Sequence, residues 1–134
     1  MPGGRLSGEV GPQDVPDWDF VADRMTAQLE TRPTDPYSVN TWFVALGTNL
    51  YVPTSMIRGP KNPSERSWVS HIEENAVVRI RLGERVYGRV AGRVYDSAEY
   101  ERVRDALEVK YKLDRSKRDS EREVWIFRLD VQSD

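Results

Sequence analysis

The sequence predicts an α+β, mainly β domain: a small antiparallel barrel or strongly bent sheet with two or three helices at its openings. Three observations lead there. Segments rich in β-branched and aromatic residues, separated by turn chemistry, fill positions 25–55. A long alternating hairpin pattern follows over positions 77–94. One short and one long helix interrupt a succession of strands whose neighbours are otherwise antiparallel, an order suited to a small barrel.

The opening "MPGGRLSGEVGPQDVPDWDF" is rich in Gly, Pro and Asp and reads as a flexible N-terminal arm over residues 1–20. Trp18 and Phe20 are its first side chains expected to dock, and residues 21–134 form the domain. Strands are expected over Met25–Thr31, Ser38–Leu46 and Leu50–Ser55, broken at Arg32-Pro33, Asp35-Pro36 and Gly47-Thr48-Asn49. The stretch Asp23–Leu29 also accommodates a short helix.

A helix then enters at Asn62, with Pro63 at the first helical position and Glu65 three residues after the cap, the spacing of a capping box. Trp68, Val69 and Ile72 give it one apolar stripe, and Asn75 stops it. In "AVVRIRLGERVYGRVAGRVY" a three-residue loop Gly83-Glu84-Arg85 pairs Leu82 with Val86 and keeps the apolar sets of both strands on one face, Gly88 and Gly92 included. That register sets Arg79 opposite Arg89, a like-charge pair that an anion or a carboxylate must answer. Asp96 and Glu99 then open an amphipathic helix with Tyr100, Val103, Leu107 and Tyr111 on one stripe, and "VWIFRLDV" closes the chain as a strand.

A length of 134 residues suits one domain with a core of its own. Lys and Arg number 20 against 22 Asp and Glu, so the net charge of −2 supports no general attraction to nucleic acid or anionic lipid. Any basic site must be local. The absence of cysteine removes disulfides, thiol catalysis and Cys-ligated metal. No membrane-length apolar run or signal-like apolar start occurs, and a cytoplasmic protein is expected.

The local basic site is "YVPTSMIRGPKNPSERSW". Free N–H groups and the positive dipole end of the helix beginning near Asn62, beside Arg58 and Lys61, suit a phosphate or carboxylate. Thr54, Ser55, Ser64, Arg66 and Ser67 add donors. The alternative is that Asn62 and Glu65 satisfy those N–H groups while Arg58 and Lys61 are merely solvated. His71, the one histidine, is a candidate acid or base or a structural residue. No nucleophilic triad, Walker loop, dinucleotide fingerprint or metal-ligand cluster is legible, so no catalytic side chain is assigned.

"TRPTDPYSVNTWFVALGTNLYVPTS" resembles the opening hairpins of the split β-barrel flavin-binding families, which include pyridoxamine-phosphate-oxidase-like proteins and deazaflavin-dependent nitroreductases. "RSWVSHIEENAVVRIRLGERVYGRVAGRV" is similar to their next part and "EREVWIFRLD" to their closing strand. The resemblance implies an FMN-binding-like split barrel, a homodimer, and FMN or a deazaflavin coenzyme at the junction. It implies a phosphate held by Thr54, Ser55, Arg58, Lys61, Arg66 and Ser67, with Trp42 and Trp68 near the ring system. Two departures stand out: the Arg-Gly-Pro-Lys-Asn-Pro loop is proline-rich, and Pro36 replaces the glycine that usually follows Asp in the first turn. The implied function is a flavin- or deazaflavin-dependent oxidoreductase acting on a small organic molecule. Two others compete with it. One is a non-enzymatic ligand-binding or interaction protein on the same fold, with Arg79, Arg81, Arg89 and Arg93 paired to acids of the long helix. The other is a nucleic-acid binder using the same arginines with Tyr87.

Overall fold

The computed structural model describes residues 3–132; Met1 and Pro2, the start of the expected arm, lie outside the described residues. Eight strands form one sheet: β1 (Glu9–Val10), β2 (Ala27–Thr31), β3 (Tyr37–Thr41), β4 (Val44–Leu46), β5 (Asn49–Pro53), β6 (Val77–Leu82), β7 (Arg85–Arg93) and β8 (Ile126–Asp130). Helix α1 (Ser67–Glu74) falls between β5 and β6, and α2 (Ser97–Lys110) between β7 and β8. The strand order is β3-β2-β6-β7-β8-β5-β4, antiparallel throughout, with β1 added in parallel to the start of β7.

This order forces the sheet to curl. Its terminal strands, β3 and β4, are consecutive in the chain, separated only by Trp42 and Phe43. Three Cα steps span about 11 Å at most, so the two edges must lie side by side. They are not hydrogen-bonded to each other, and the barrel stays split along that seam. The expected strand Ser38–Leu46 is therefore two strands with a corner.

The end of α2 fastens the corner. Tyr111 Oη donates to Met25 O (2.7 Å) and accepts from Phe43 N (3.1 Å), while its ring stacks on Trp42 at 4.0 Å and 7°. Lys110 Nζ donates to Phe43 O at 2.9 Å and stands over the Phe43 ring, and burial pushes its pKa down to about 8.

Leu29, Phe43, Val52, Val78 and Ile80 fill the interior, and α1 closes one opening with Trp68, Val69 and Ile72. A second apolar layer, Val44, Tyr51, Val94 and Ile126, receives the expected α2 stripe of Val103 and Leu107, with Tyr100 and Tyr111 at its ends. Asp96 caps α2 by accepting from Glu99 N at 2.8 Å.

Residues 3–21 pack against the sheet. Gly3 bridges Ser38, Leu6 N donates to Glu30 Oε1 (2.6 Å), Ser7 O accepts from Arg81, and Glu9–Val10 join β7, so the segment crosses successive strands. Trp18 is buried with its indole N–H on Thr48 O, whereas Phe20 stays exposed, stacked on Trp18.

That crossing corrects the hairpin. The β6–β7 loop has two residues, Gly83-Glu84, and Leu82 pairs with Arg85, not Val86. Gly83 at φ 67° gives the positive first dihedral of a II′ turn. Tyr87, Arg89 and Ala91 share the core face with Val78 and Ile80, while Val86 is buried on the opposite face. With both faces covered, alternation no longer identifies the inner one.

Arg79 consequently faces Gly88 and pairs with Glu30 (3.2 Å) across β2, rather than opposing Arg89. Arg89, 2% exposed, donates to the carbonyls of Gly88 and Gln13 and lies over Trp18 and Tyr87; burial lowers its pKa. The expected pairing of these arginines with α2 does not occur: the α2 acids engage Arg115, Arg118 and Arg128 instead. Tyr87, 1% exposed, has no face free for stacking on a base.

Tyr111→Phe should lower unfolding free energy by about 1–3 kcal/mol, the range for leaving buried backbone groups unpaired, in a denaturant titration. Glu99 accepts from Tyr51 Oη (2.8 Å) and from Arg128 (2.9 Å), which together hold its carboxyl below its ordinary 4.5. A depressed folded value means this stabilisation is complete above the unfolded value and vanishes as pH falls through the folded one. Melting temperature should therefore fall less steeply on acidification in Glu99→Gln than in the wild type.

Candidate anion and ring cleft at the barrel seam

A cleft of about 750 Å³ opens along the seam, walled by β3, the corner, the end of β5 with its following turn, and the start of α1. Of the eight residues expected at a cofactor site, Trp42, Thr54, Ser55, Arg58, Arg66, Ser67 and Trp68 line it, whereas Lys61 does not. Lys61 is held by Asp119 (3.0 Å) and Glu121 (3.4 Å).

The entry to α1 differs from the expected one in a way that matters here. Asn62 caps only a 3₁₀ turn, Pro63–Glu65, through Ser64 N at 3.1 Å. Arg66 then takes an extended conformation, and α1 starts at Ser67 with no side-chain cap. The chain spends its capping residue one turn early. The first N–H groups of α1 are left at the cleft wall, beside Arg66.

Arg66 Nε donates to Ser55 Oγ at 2.9 Å. Gly59, at φ 86°, lies against this pair so closely that a Cβ there would collide with the Arg66 guanidinium. Among the described residues neither Arg58 nor Arg66 has a carboxylate within ion-pair distance. Glu65 is the one acid in the lining. The turn thus carries two uncompensated guanidinium groups at a helix N-terminus, the electrostatics of an anion site.

Thr54 is a structural anchor. It exchanges hydrogen bonds of 2.9 Å with Trp125, N–H to carbonyl one way and N–H to Oγ1 the other. Trp42 is half-buried, one face on Tyr111, and is available to flank a planar ring; Trp68, 5% exposed, belongs mostly to the core. His71 stays out of the lining. Arg32 donates to its Nε2 (3.2 Å), so Nδ1–H donates to Thr31 Oγ1 (2.9 Å), and burial followed by Arg32 lowers its pKa, which keeps the ring neutral.

Sequence reasoning missed Tyr37, Val39, Asn40 and Thr41 of β3, which line the cleft; for Tyr37, Val39 and Thr41 the two-residue period was the available signal. Arg122 was missed too, because within "EREVWIFRLD" nothing local marks it as the partner of a distant turn. Its guanidinium donates to Ile57 O through Nη2 and, through Nη1, shares its N–H groups among the carbonyls of Ser55, Arg58, Gly59 and Pro60.

No protein-family model matches the sequence, and no curated protein does. Solved structures do resemble it. An F420-H2-dependent reductase superposes with a TM-score of 0.62 at 16% identity, over 80% of this chain and 95% of that one. Another F420 reductase gives 0.58 at 18%, over 89% and 97%. An FAD-binding protein from Mesorhizobium loti gives 0.56 at 16%, over 84% and 82%.

The chain has the split β-barrel fold of these proteins. The cleft lies on the β3 side of the seam, between that unpaired edge with its corner and the turn after β5; β4 contributes no lining residue. Among the described residues no helix is long and apolar enough to cross a membrane.

Gly59→Ala should cost about 1–3 kcal/mol through its positive φ. The same substitution should displace Arg66 from Ser55, visible as a shift of the Arg66 Nε–H resonance. An unmoved resonance would mean that the guanidinium does not depend on Gly59.

Proposed function

We propose that this protein is a flavin- or deazaflavin-dependent oxidoreductase acting on a small organic molecule, with FMN or a deazaflavin coenzyme in the seam cleft of a homodimer. The observation that carries this reading is the cradle at one end of the cleft: Arg66 fixed on Ser55 over Gly59, Arg58 without a carboxylate, and the uncapped start of α1. It is suited to a phosphate group, and the half-buried face of Trp42 borders the same space. The cleft volume of about 750 Å³ falls within the range of small-molecule and cofactor sites. The shared fold with F420- and FAD-binding proteins supports the cofactor class.

When bound, the isoalloxazine or deazaflavin ring supplies the hydride chemistry. The chain's own residues bind and orient. Arg58, Arg66, Ser67 and the α1 amides hold the phosphate, Ser55 fixes Arg66, and Trp42 with Tyr37 excludes water from the ring. Lys61 completes the set through the turn rather than by direct contact. Ile57, 52% exposed on the rim beside Met56, offers an apolar edge for a second copy of the chain. A dimer mass in light scattering is the expected result.

The deciding measurement is the absorbance spectrum of the freshly purified protein, followed by titration with FMN and with a deazaflavin coenzyme. Saturable binding is expected. Arg58→Gln with Arg66→Gln should weaken it at least about tenfold, the loss of one charge-assisted hydrogen bond or more. Uptake of neither compound by the wild type would remove the reading.

A further inference from the structure

We propose that Arg122 is the positioning residue of the anion-binding turn, acting from the side opposite the bound group. This rests on the cofactor reading above and concerns a residue that does not line the cleft. Arg122 Nη1 approaches the carbonyl oxygens of Ser55 (3.4 Å), Arg58 (3.5 Å), Gly59 (3.3 Å) and Pro60 (3.2 Å), and Nη2 that of Ile57 (2.8 Å). One guanidinium therefore gathers nearly every carbonyl of the turn.

Peptide geometry converts this into a site. All peptide bonds are trans, so a carbonyl aimed at Arg122 sends the N–H of the following residue the opposite way. The N–H groups so directed are those of Met56, Arg58, Gly59 and Lys61; Pro60 has none. Among the described residues none of the four has a protein acceptor. Met56 and Arg58 among them line the cleft, Gly59 and Lys61 do not, and the adjacent N–H groups of Arg58 and Gly59 are the pair that forms an anion-binding concavity.

The turn also separates two spaces. Arg122 lines a second groove of about 370 Å³, and Met56 and Ile57 border both that groove and the cleft. Two further links tie the same segments together: Glu123 N donates to Lys61 O (3.0 Å), and Lys61 Nζ pairs with Asp119 (3.0 Å). The charged stretch 119–123 thus backs the turn and fixes which way its dipoles point. Lys61, expected at the phosphate, serves as a tether.

Arginine suits the position because its rigid fork holds two nitrogens apart: Nη1 shares its two N–H groups among the carbonyls of Ser55, Arg58, Gly59 and Pro60 while Nη2 takes that of Ile57, which the single nitrogen of a lysine does not reproduce. Arg122→Lys therefore keeps the charge and removes the geometry.

The test compares FMN with riboflavin, which differ only by the phosphate, binding to the wild type, Arg122→Lys and Arg122→Gln, with thermal melting of each protein alongside. Both variants should bind FMN at least about tenfold more weakly while riboflavin affinity changes less than about twofold. Wild-type FMN affinity in Arg122→Lys would overturn the proposal, because charge alone would then suffice. Equal losses for FMN and riboflavin would overturn it as well, showing general support of the fold. If the wild type binds neither FMN, riboflavin nor a deazaflavin coenzyme, the cofactor reading fails and this proposal with it, an outcome distinct from the other two.

Discussion

Trp42 and Phe43 join the first and last strands of the sheet order, and a connection so short leaves the sheet one solution, to curl until its edges meet. The corner has to place backbone groups where no ladder partner exists. Tyr111 and Lys110 supply what the ladder cannot: a hydroxyl for Phe43 N and an ammonium for Phe43 O. The long helix is thereby tied to the seam as well as to its own apolar layer. Because β3 and β4 do not pair, the cleft lies beside an interruption in the hydrogen-bond network of the sheet, and the tightly fastened corner borders it.

Several charged side chains are used internally. Glu30, 2% exposed, is answered by Arg79 and Leu6 N, Glu108 by Arg118, and Glu99 by Tyr51 and Arg128. Removing the partner of buried Glu30 or Glu108 leaves an uncompensated charge, whereas the Glu99–Arg128 pair reaches solvent. Arg89 follows another rule. Among the described residues no carboxylate pairs with it, and it rests on two carbonyls and two aromatic faces, an arrangement that the weak hydration of guanidinium allows and that an ammonium would tolerate poorly.

Much of this was legible in the sequence, and the failures share a cause. Turn residues and periodicity located the strands and α2, because these depend on local chemistry. The clustering of Ser55, Arg58, Arg66 and Ser67 near Trp42 was also legible, since one short stretch carries most of it. The β6–β7 register was misjudged because residues 3–11 cover the outer face of the sheet, a long-range fact that erases the polar alternation used to choose a face. The break at Arg66 was missed for a similar reason. Capping signals mark the start of a helical turn but not whether it continues as one helix.

The cations of the turn illustrate the remaining gap between composition and chemistry. Arg58, Lys61, Arg66 and Arg122 are equivalent in a count of charge, yet the fold gives them different partners: none for Arg58, a hydroxyl for Arg66, carboxylates for Lys61 and backbone carbonyls for Arg122. A cation paired with carboxylates has little field left for a ligand, whereas one ringed by carbonyls turns the opposite ends of those peptides toward the far side. Two of the four therefore face the cleft as charges and a third acts through oriented amides. A chain with no net positive charge can thus hold a local anion site, because Glu65 is the one acid among the cleft's lining residues and the backbone dipoles of the turn are aligned.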